Sequence, residues 1–395
     1  MLKIKISTFK YWKGMGEKYI YKSKISFTRS YIPLEYLYSI IKFLKNKEHK
    51  EYTIKSIEKN TISFKSKGGK PIHNPRFPIN FETKEGAILV SALLCDGGID
   101  KMGNPLYNNS EICMRKRVVK AINKLIGKIH TNPIYPQKNN CLIFPKTIKD
   151  ILINALNMQI GDKVINNPKI PDIFLDTNKK EVIGAFLNQA FSDDGSAYTT
   201  KKYNQGTIAY GSSIDVSMFR AKFIEKIKKE KLTDYASNLV KGCTSMLKKL
   251  NIKVNGPYAK PCYLRHKGGK KRIIMPWTIQ IQGRDNVKKF KELIGFSILR
   301  KNKKIDEILN NYKEVDYGKS FEISWKIVTK LNSNKIPIQL DNFAKKYKST
   351  REYSRQLLKN LRKKGIIKRN GGGYERDVHS CIPYKYKLIK PHITS

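Results

Sequence analysis

Acidic side chains are scarce in this 395-residue chain: 32 Asp and Glu stand against 79 Lys and Arg, a formal charge of +47 at pH 7. A globular chain this basic repels itself unless it works against a polyanion. Nucleic acid is the leading partner, and an anionic membrane surface the distant second. Long apolar runs are missing too. The longest, Ala87 to Cys95, falls far short of the roughly 20 residues a transmembrane helix needs. The start, Met1-Leu2-Lys3-Ile4-Lys5, alternates aliphatic and charged residues and lacks the apolar stretch of a signal peptide. Cys95, Cys113, Cys141, Cys243, Cys262 and Cys381 form no C-x-x-C pair. Such scatter fits reduced thiols in a cytosolic compartment better than a disulfide framework or a zinc site. The histidines are equally dispersed and no H-E-x-x-H is present, which argues against a zinc enzyme. Neither a P-loop nor a strand-linked G-x-G-x-x-G occurs, so nucleotide hydrolysis and dinucleotide redox chemistry lack their usual signals.

What is present is a folding composition, 40% hydrophobic and 10% aromatic. The length suggests two or three domains. Residues 1–80 form a basic N-terminal region carrying 18 basic and 5 acidic side chains. In it, Ile32 to Phe43 has helical spacing, and Thr53-Ile54-Lys55 and Thr61-Ile62-Ser63-Phe64 read as two short strands turning at Glu58-Lys59-Asn60. Gly68-Gly69-Lys70-Pro71 marks a boundary. Residues 81–312 interleave longer helices with short strands, and residues 320–395 form a third unit.

The middle region repeats itself. Leu89-Val90-Ser91-Ala92-Leu93-Leu94-Cys95-Asp96-Gly97 is an apolar helix ending in Asp-Gly, and Leu187-Asn188-Gln189-Ala190-Phe191-Ser192-Asp193-Asp194-Gly195 ends the same way, 98 residues later. That period suggests a duplicated α/β unit over about 81–180 and 181–312. An ionised carboxylate at the edge of a core costs several kcal/mol unless it is paired or binds a cation. Two such helices packed together bring Asp96 and Asp194 near each other, where they share a proton or bind a hard divalent cation. Ala87, Ser91 and Cys95, at i, i+4 and i+8, supply the small residues for close packing.

These segments resemble the paired motifs of the LAGLIDADG homing endonucleases, in the single-chain form with two motifs. Leu89, Ser91 and Asp96-Gly97 match the first motif. The second follows the F-L-x-x-x-F-x-D-D-G-S pattern from Phe186 to Ser196. Asn167 to Leu175 resembles the linker before the second motif, and Lys289 to Phe296 the closing helix of the second repeat. Some positions depart from the pattern. Gln189 stands where a small residue is usual, Leu94 and Ser192 replace a frequent acid, and Asp193 adds a neighbouring carboxylate.

The resemblance implies an α/β (α+β) fold, with two pseudo-symmetric αββαββα repeats forming a DNA-binding saddle over the major groove. It implies that Asp96 and Asp194 bind Mg²⁺, with Mn²⁺ as a substitute, and hydrolyse one phosphodiester bond on each strand to leave a staggered break. A basic residue near the scissile phosphate is expected, with Lys138, Lys270 and Lys271 as candidates. Arg265, Arg272, Gln280 and Gln282 lie on strands that can read base edges.

Residues 320–395 carry 18 basic and 5 acidic side chains. Trp325 to Leu331, Leu340 to Tyr347 and Arg351 to Lys364 read as helices. Ile366 to Arg369, Asn370 to Gly373 and Tyr374 to Arg376 read as strand, turn and return strand. The pattern resembles a winged helix-turn-helix, with Ser354, Arg355, Lys359 and Arg362 exposed on the helix that enters the groove. The leading expectation is a monomeric site-specific endonuclease acting on double-stranded DNA, cytoplasmic and nucleoid-associated. No intein framing shows, since Pro391 to Ser395 lacks the terminal His-Asn pair. The alternatives are a non-catalytic transcriptional regulator on the same scaffold and a maturase acting on intron RNA.

Overall fold

In the computed structural model the basic N-terminal region contributes strands to a sheet. The structure describes residues 4–7, 32–33, 53–66, 69–136, 140–200, 205–267 and 269–311, then 359, 362, 367–370, 373–374, 381–382 and 385–388. Two units divide the chain, residues 1–199 with 206–309, and residues 200–205 with 310–395.

In the first unit, β1 (Ile4–Ser7) runs parallel to β2 (Ile32–Pro33) and to β3 (Thr61–Lys65). The helix expected from Ile32 therefore does not begin there, and positions 34–43 lie outside the described residues. Thr61–Phe64 is a strand as expected. Ile54–Asn60 is a helix, α1, where the sequence suggested a strand and a turn. Its Ile54 and Ile57 stand at i and i+3, and Lys and Glu favour helix over strand. β4 (Ile72–His73) pairs antiparallel with β3.

Then comes α2 (Lys84–Leu94), followed by β5 (Gly97–Ile99), β6 (Pro105–Asn108), α3 (Ile112–Leu125), β7 (Lys128–Ile129), β8 (Cys141–Ile143) and α4 (Lys146–Leu156). β5, β6 and β8 form an antiparallel sheet in that order, while β7 leaves it to pair with β4. Two short helices, α5 (Lys163–Asn166) and α6 (Asp172–Asp176), lead to α7 (Lys180–Asp194). β9 (Gly195–Thr200), β10 (Gln205–Asp215), α8 (Ala221–Glu230), α9 (Asn238–Lys249), β11 (Asn255–Ala259), β12 (Tyr263–Lys267), β13 (Lys270–Gln282) and α10 (Arg284–Leu293) follow, then α11 (Leu299–Asn311). Their sheet runs β11-β13-β10-β9, with β12 also on β13. In both sheets the strand after the Asp-Gly helix pairs with the next. That second strand then pairs with the one just before the closing helix.

The core lies between these sheets and helices. Leu89, Val90, Leu187, Ile279 and Ile281 are fully buried, and Trp277 is nearly so. Burial of each such side chain stabilises the fold by about 1.5–3 kcal/mol. Phe191 stacks at 5.2 Å from Tyr210 and 5.0 Å from Phe290, which ties α7 to β10 and α10.

In the second unit, β14 (Ile367–Asn370) pairs with β17 (Lys385–Leu388), and β15 (Gly373–Tyr374) with β16 (Cys381–Ile382). The strand after the glycines therefore does not return on Ile366–Arg369. Lys385–Leu388 takes that place in a four-residue ladder, while Gly373-Tyr374 pairs over two residues with Cys381-Ile382. The helices expected over Trp325–Leu331 and Leu340–Tyr347 lie outside the described residues, as do Ser354 and Arg355. Lys359 and Arg362 are helical and exposed.

Candidate active site

Helix α2 is capped by Thr83, whose hydroxyl accepts from Gly86 N at 3.1 Å, and runs to Leu94. Helix α7 runs against it. Ser91 Oγ donates to Phe186 O at 2.9 Å across the seam, a bond that only a small residue at close range can make. Ala87 and Ala190 are fully buried beside it. At the end of each helix the glycine is required by space. A Cβ at Gly97 would stand 2.5 Å from Leu106 O on β6, and one at Gly195 would stand 2.5 Å from Phe191 O and 3.1 Å from Ala209 O on β10. Both helix ends thus press on the second strand of their own sheet. This equivalence matches Asp96 with Asp194, and leaves Asp193 as the extra acid.

Three carboxyl groups meet here. Asn109 Nδ2 donates to Asp96 Oδ2 at 2.7 Å and to Asp193 Oδ1 at 3.1 Å. Tyr107 OH donates to Asp193 Oδ1 at 2.7 Å, and Gln189 Nε2 to Asp193 Oδ2 at 3.0 Å. Burial raises the carboxyl of Asp96. Burial, and then the charge of Asp96, push Asp193 up to about 8. Asp194 keeps a face open to solvent. The protein packed around it, and then Asp96, raise it to about 6. Water screens that open face, so the energetic weight of the cluster falls on Asp193. The negative ends of two helix dipoles point at the same place and add to the repulsion.

Two lysines answer that field. Lys163 donates through Nζ to Cys95 O at the end of α2. Lys301 donates to Ser192 O at 2.7 Å, Gly195 O at 2.6 Å and Phe191 O at 3.4 Å, at the end of α7. Burial, and then Arg300, lower the Lys301 ammonium, while the three acids hold it up. Each lysine lies beyond the helix that closes its own half and reaches back to the motif helix. The sequence pointed to other lysines. Lys138 lies outside the described residues, and Lys270 and Lys271 are exposed at the start of β13. No sequence signal marks Lys163 or Lys301, because both reach the site through the tertiary path alone.

Gln189 rules out a seam of small residues on both sides, as its chemistry required. It is fully buried, and its Nε2 also donates to Tyr107 OH at 3.2 Å. Its Oε1 has no partner among the described residues. Tyr107 and Asn109 were not singled out in the sequence, although both sit on or just after β6, directly beyond the first Asp-Gly. Of the strand candidates, Arg265 pairs with Asp162 at 3.5 Å and Arg272 pairs with Asp215. Gln280 and Gln282 lie half-buried on the outer face of β13.

An oxygen-only set of close carboxylates, crowded by burial and by two helix ends, fits a hard divalent cation. Among the described residues no group of three or more His, Cys, Asp and Glu side chains is placed to hold a metal. Asp96 and Asp194 fit instead the habit of Mg²⁺, which takes one or two carboxylates and completes its shell with water and substrate phosphate.

Nine solved chains align with this one, among them the following two. A variant of the homing endonuclease I-DmoI, in complex with its target DNA and in the presence of Mn, matches at 13% identity, with 55% of this chain and 96% of that chain covered and a TM-score of 0.27. The N-terminal LAGLIDADG domain of DUF199/WhiA matches at 14% identity, with 59% and 90% covered and a TM-score of 0.23. No protein-family model matches the chain, and no curated protein matches it.

Proposed function

We propose that this protein is a metal-dependent endonuclease of the LAGLIDADG kind, cutting both strands of duplex DNA at a specific site. The observation that supports it is the pairing of two buried helices, each ending in Asp-Gly, with three mutually repelling carboxyl groups at their ends. A fold maintained only for binding gains nothing from that repulsion. Mg²⁺ or Mn²⁺ would be held by Asp96 and Asp194, and when bound it supplies a Lewis acid against the phosphate and a lowered pKa for water. The chain's own residues position that site. Asn109 fixes one oxygen of Asp96. Asp193, spent on three internal donors, holds the seam and leaves Asp194 facing outward. Lys163 and Lys301 cancel the helix-end charge that would otherwise oppose an incoming phosphate.

In this reading residues 81–312 are the pseudo-symmetric nuclease. The region 1–80 adds phosphate contacts, and 320–395 is a winged helix-turn-helix reaching the groove with Ser354, Arg355, Lys359 and Arg362. One chain carries both acids, so a monomer suffices.

One observation favours a second reading, a DNA-binding regulator that does not cut: both lysines are engaged on backbone carbonyls, as a purely structural seam would have them. The test separates the two. The purified protein is incubated with a random-sequence plasmid library and Mg²⁺, and the ends are sequenced. A recurrent staggered cut that disappears with EDTA, with Asp96→Asn and with Asp194→Asn supports the nuclease. Selective binding without a cut, in Mg²⁺ and in Mn²⁺, supports the regulator.

A further inference from the structure

Two tyrosines stand at matching places in the two halves. A Cβ at Gly97 would meet Leu106 O, and one at Gly195 would meet Ala209 O, so Leu106 corresponds to Ala209. The next residue is tyrosine in both halves, Tyr107 on β6 and Tyr210 on β10. Both side chains are buried. The residues that precede the two acids match as well, Cys95 before Asp96 and Asp193 before Asp194.

The tyrosine hydroxyls cross the seam. Tyr107, from the first half, donates to Asp193 Oδ1 of the second at 2.7 Å. Tyr210, from the second half, has its hydroxyl 3.7 Å from Cys95 Sγ of the first. Each tyrosine is also held against α7. Tyr107 OH accepts from Gln189 Nε2 at 3.2 Å, and the Tyr210 ring lies 5.2 Å from that of Phe191. The two crossings are unequal. An O–H···O bond at 2.7 Å has the usual length of a good hydroxyl bond, whereas a thiol is a weak donor and a weak acceptor. Asp96 has a second anchor that offsets the weaker crossing, since Asn109 Nδ2 donates to its own carboxylate at 2.7 Å.

We propose that Tyr107 and Tyr210 are crossed positioning residues, each fixing the metal-binding acid of the opposite half: Tyr107 acts on Asp194 through Asp193, and Tyr210 acts on Asp96 through Cys95. The inference rests on the nuclease reading above and adds the residues that set the spacing of the two cuts. One peptide bond joins each held side chain to its acid, so a strand of one sheet carries the acid of the other half. The separation of Asp96 and Asp194 then follows the separation of the two sheets.

The test uses the full chain on the site recovered from the plasmid library, with the two strands labelled differently and single-turnover rates read for each. The strand that each acid serves is assigned from Asp96→Glu and Asp194→Glu, which keep a carboxylate and displace it by one methylene. Tyr107→Phe is expected to slow the strand of Asp194 by roughly 10–100-fold, and the other strand much less. Tyr210→Phe and Cys95→Ala are expected to slow the strand of Asp96, by a smaller factor, and Cys95→Ser, which keeps a polar hydrogen, to restore it. A second readout needs neither metal nor DNA. In urea unfolding, Tyr107→Phe with Asp193→Asn and Tyr210→Phe with Cys95→Ala should each depart from additivity, the first pair more. Additive midpoints in both pairs, equal slowing of both strands, or slowing confined to the strand of the tyrosine's own half overturns the inference and leaves the nuclease reading standing. Non-additive midpoints without any cut by the unaltered protein, in Mg²⁺ and in Mn²⁺, overturn the nuclease reading and the positioning role with it.

Discussion

Asp96 and Asp193 accept hydrogen bonds from the same nitrogen, Asn109 Nδ2, at 2.7 and 3.1 Å. The nitrogen carries two hydrogens, so each carboxylate receives one. Asn109 is itself fixed, since its Oδ1 accepts from Glu111 N at 2.9 Å where α3 begins. The amide therefore sets the position of one acid from each half.

Removing that amide should loosen Asp96 without removing it. Residues that orient a metal ligand are commonly worth 10–100-fold. Asn109→Ala is therefore expected to lower the single-turnover cleavage rate by about that factor, with DNA affinity little changed. A cleavage rate equal to that of the unaltered protein would count against the positioning role.

Asp193 should make the metal-free fold sensitive to pH. Its carboxyl is raised from the ordinary 3.8 to about 8 in the folded chain. Between those values the folded state binds more protons than the unfolded state, so stability falls as pH rises from about 4 to about 8. Asp193→Asn removes the charge, and Gln189 Oε1, which has no partner among the described residues, becomes the natural acceptor for the new amide. The variant should melt at a higher temperature than the unaltered protein at pH 8, and its melting temperature should vary less with pH. Melting curves across that range decide it, and an unchanged slope rejects the assignment.

Lys301 and Lys163 should differ in weight. Lys301 satisfies three carbonyls at the end of α7, and Lys163 satisfies one at the end of α2. A buried carbonyl left without a donor costs about 1–3 kcal/mol. Lys301→Met keeps the length and removes the donors, so it should destabilise the protein more than Lys163→Met in urea unfolding. The gap should narrow above pH 6, where more of the cluster is ionised, because Lys163 offsets the charge of Asp96 and Asp194 more than Lys301 does. Equal midpoints for the two variants would refute this ordering.

Much of the site was legible in the sequence because its cause is local. An apolar run that ends on Asp-Gly announces a buried helix with an acid at its end, and two such runs announce a pair. The bond from Ser91 to the backbone of Phe186 follows from the small residues already visible at that spacing. What was not legible depends on distant segments. Lys163 and Lys301 are ordinary lysines in a chain full of them, and only the folded path brings them to the helix ends. The role of Asp193 needed Tyr107 and Asn109, which no spacing rule connects to it. Ile54–Asn60 was misread because a three-residue apolar pattern fits a strand and a helix turn equally well. The far hairpin was misread because triple glycine is a strong turn signal, while the better strand partners stood further along.

Neighbouring glycines offer a sharp contrast at the first acid. A Cβ at Gly97 would stand 2.5 Å from Leu106 O, 2.9 Å from Ala92 O and 3.0 Å from Leu93 Cα, whereas one at Gly98 would meet nothing within 4 Å. The obstacles at Gly97 are backbone atoms of α2 and β6, which cannot swing aside as a flexible side chain does. Gly97→Ala should therefore push helix end and strand apart, at a cost of about 1–3 kcal/mol. Because Asp96 sits on that junction, cleavage should fall further than stability alone predicts. Gly98→Ala narrows the unfolded ensemble and meets no contact, so it should be neutral or stabilising by up to about 1 kcal/mol. Urea midpoints and cleavage rates for the two variants test this directly. If Gly98→Ala is as damaging as Gly97→Ala, glycine at this junction serves backbone flexibility, and the close packing of α2 on β6 does not set the position of Asp96.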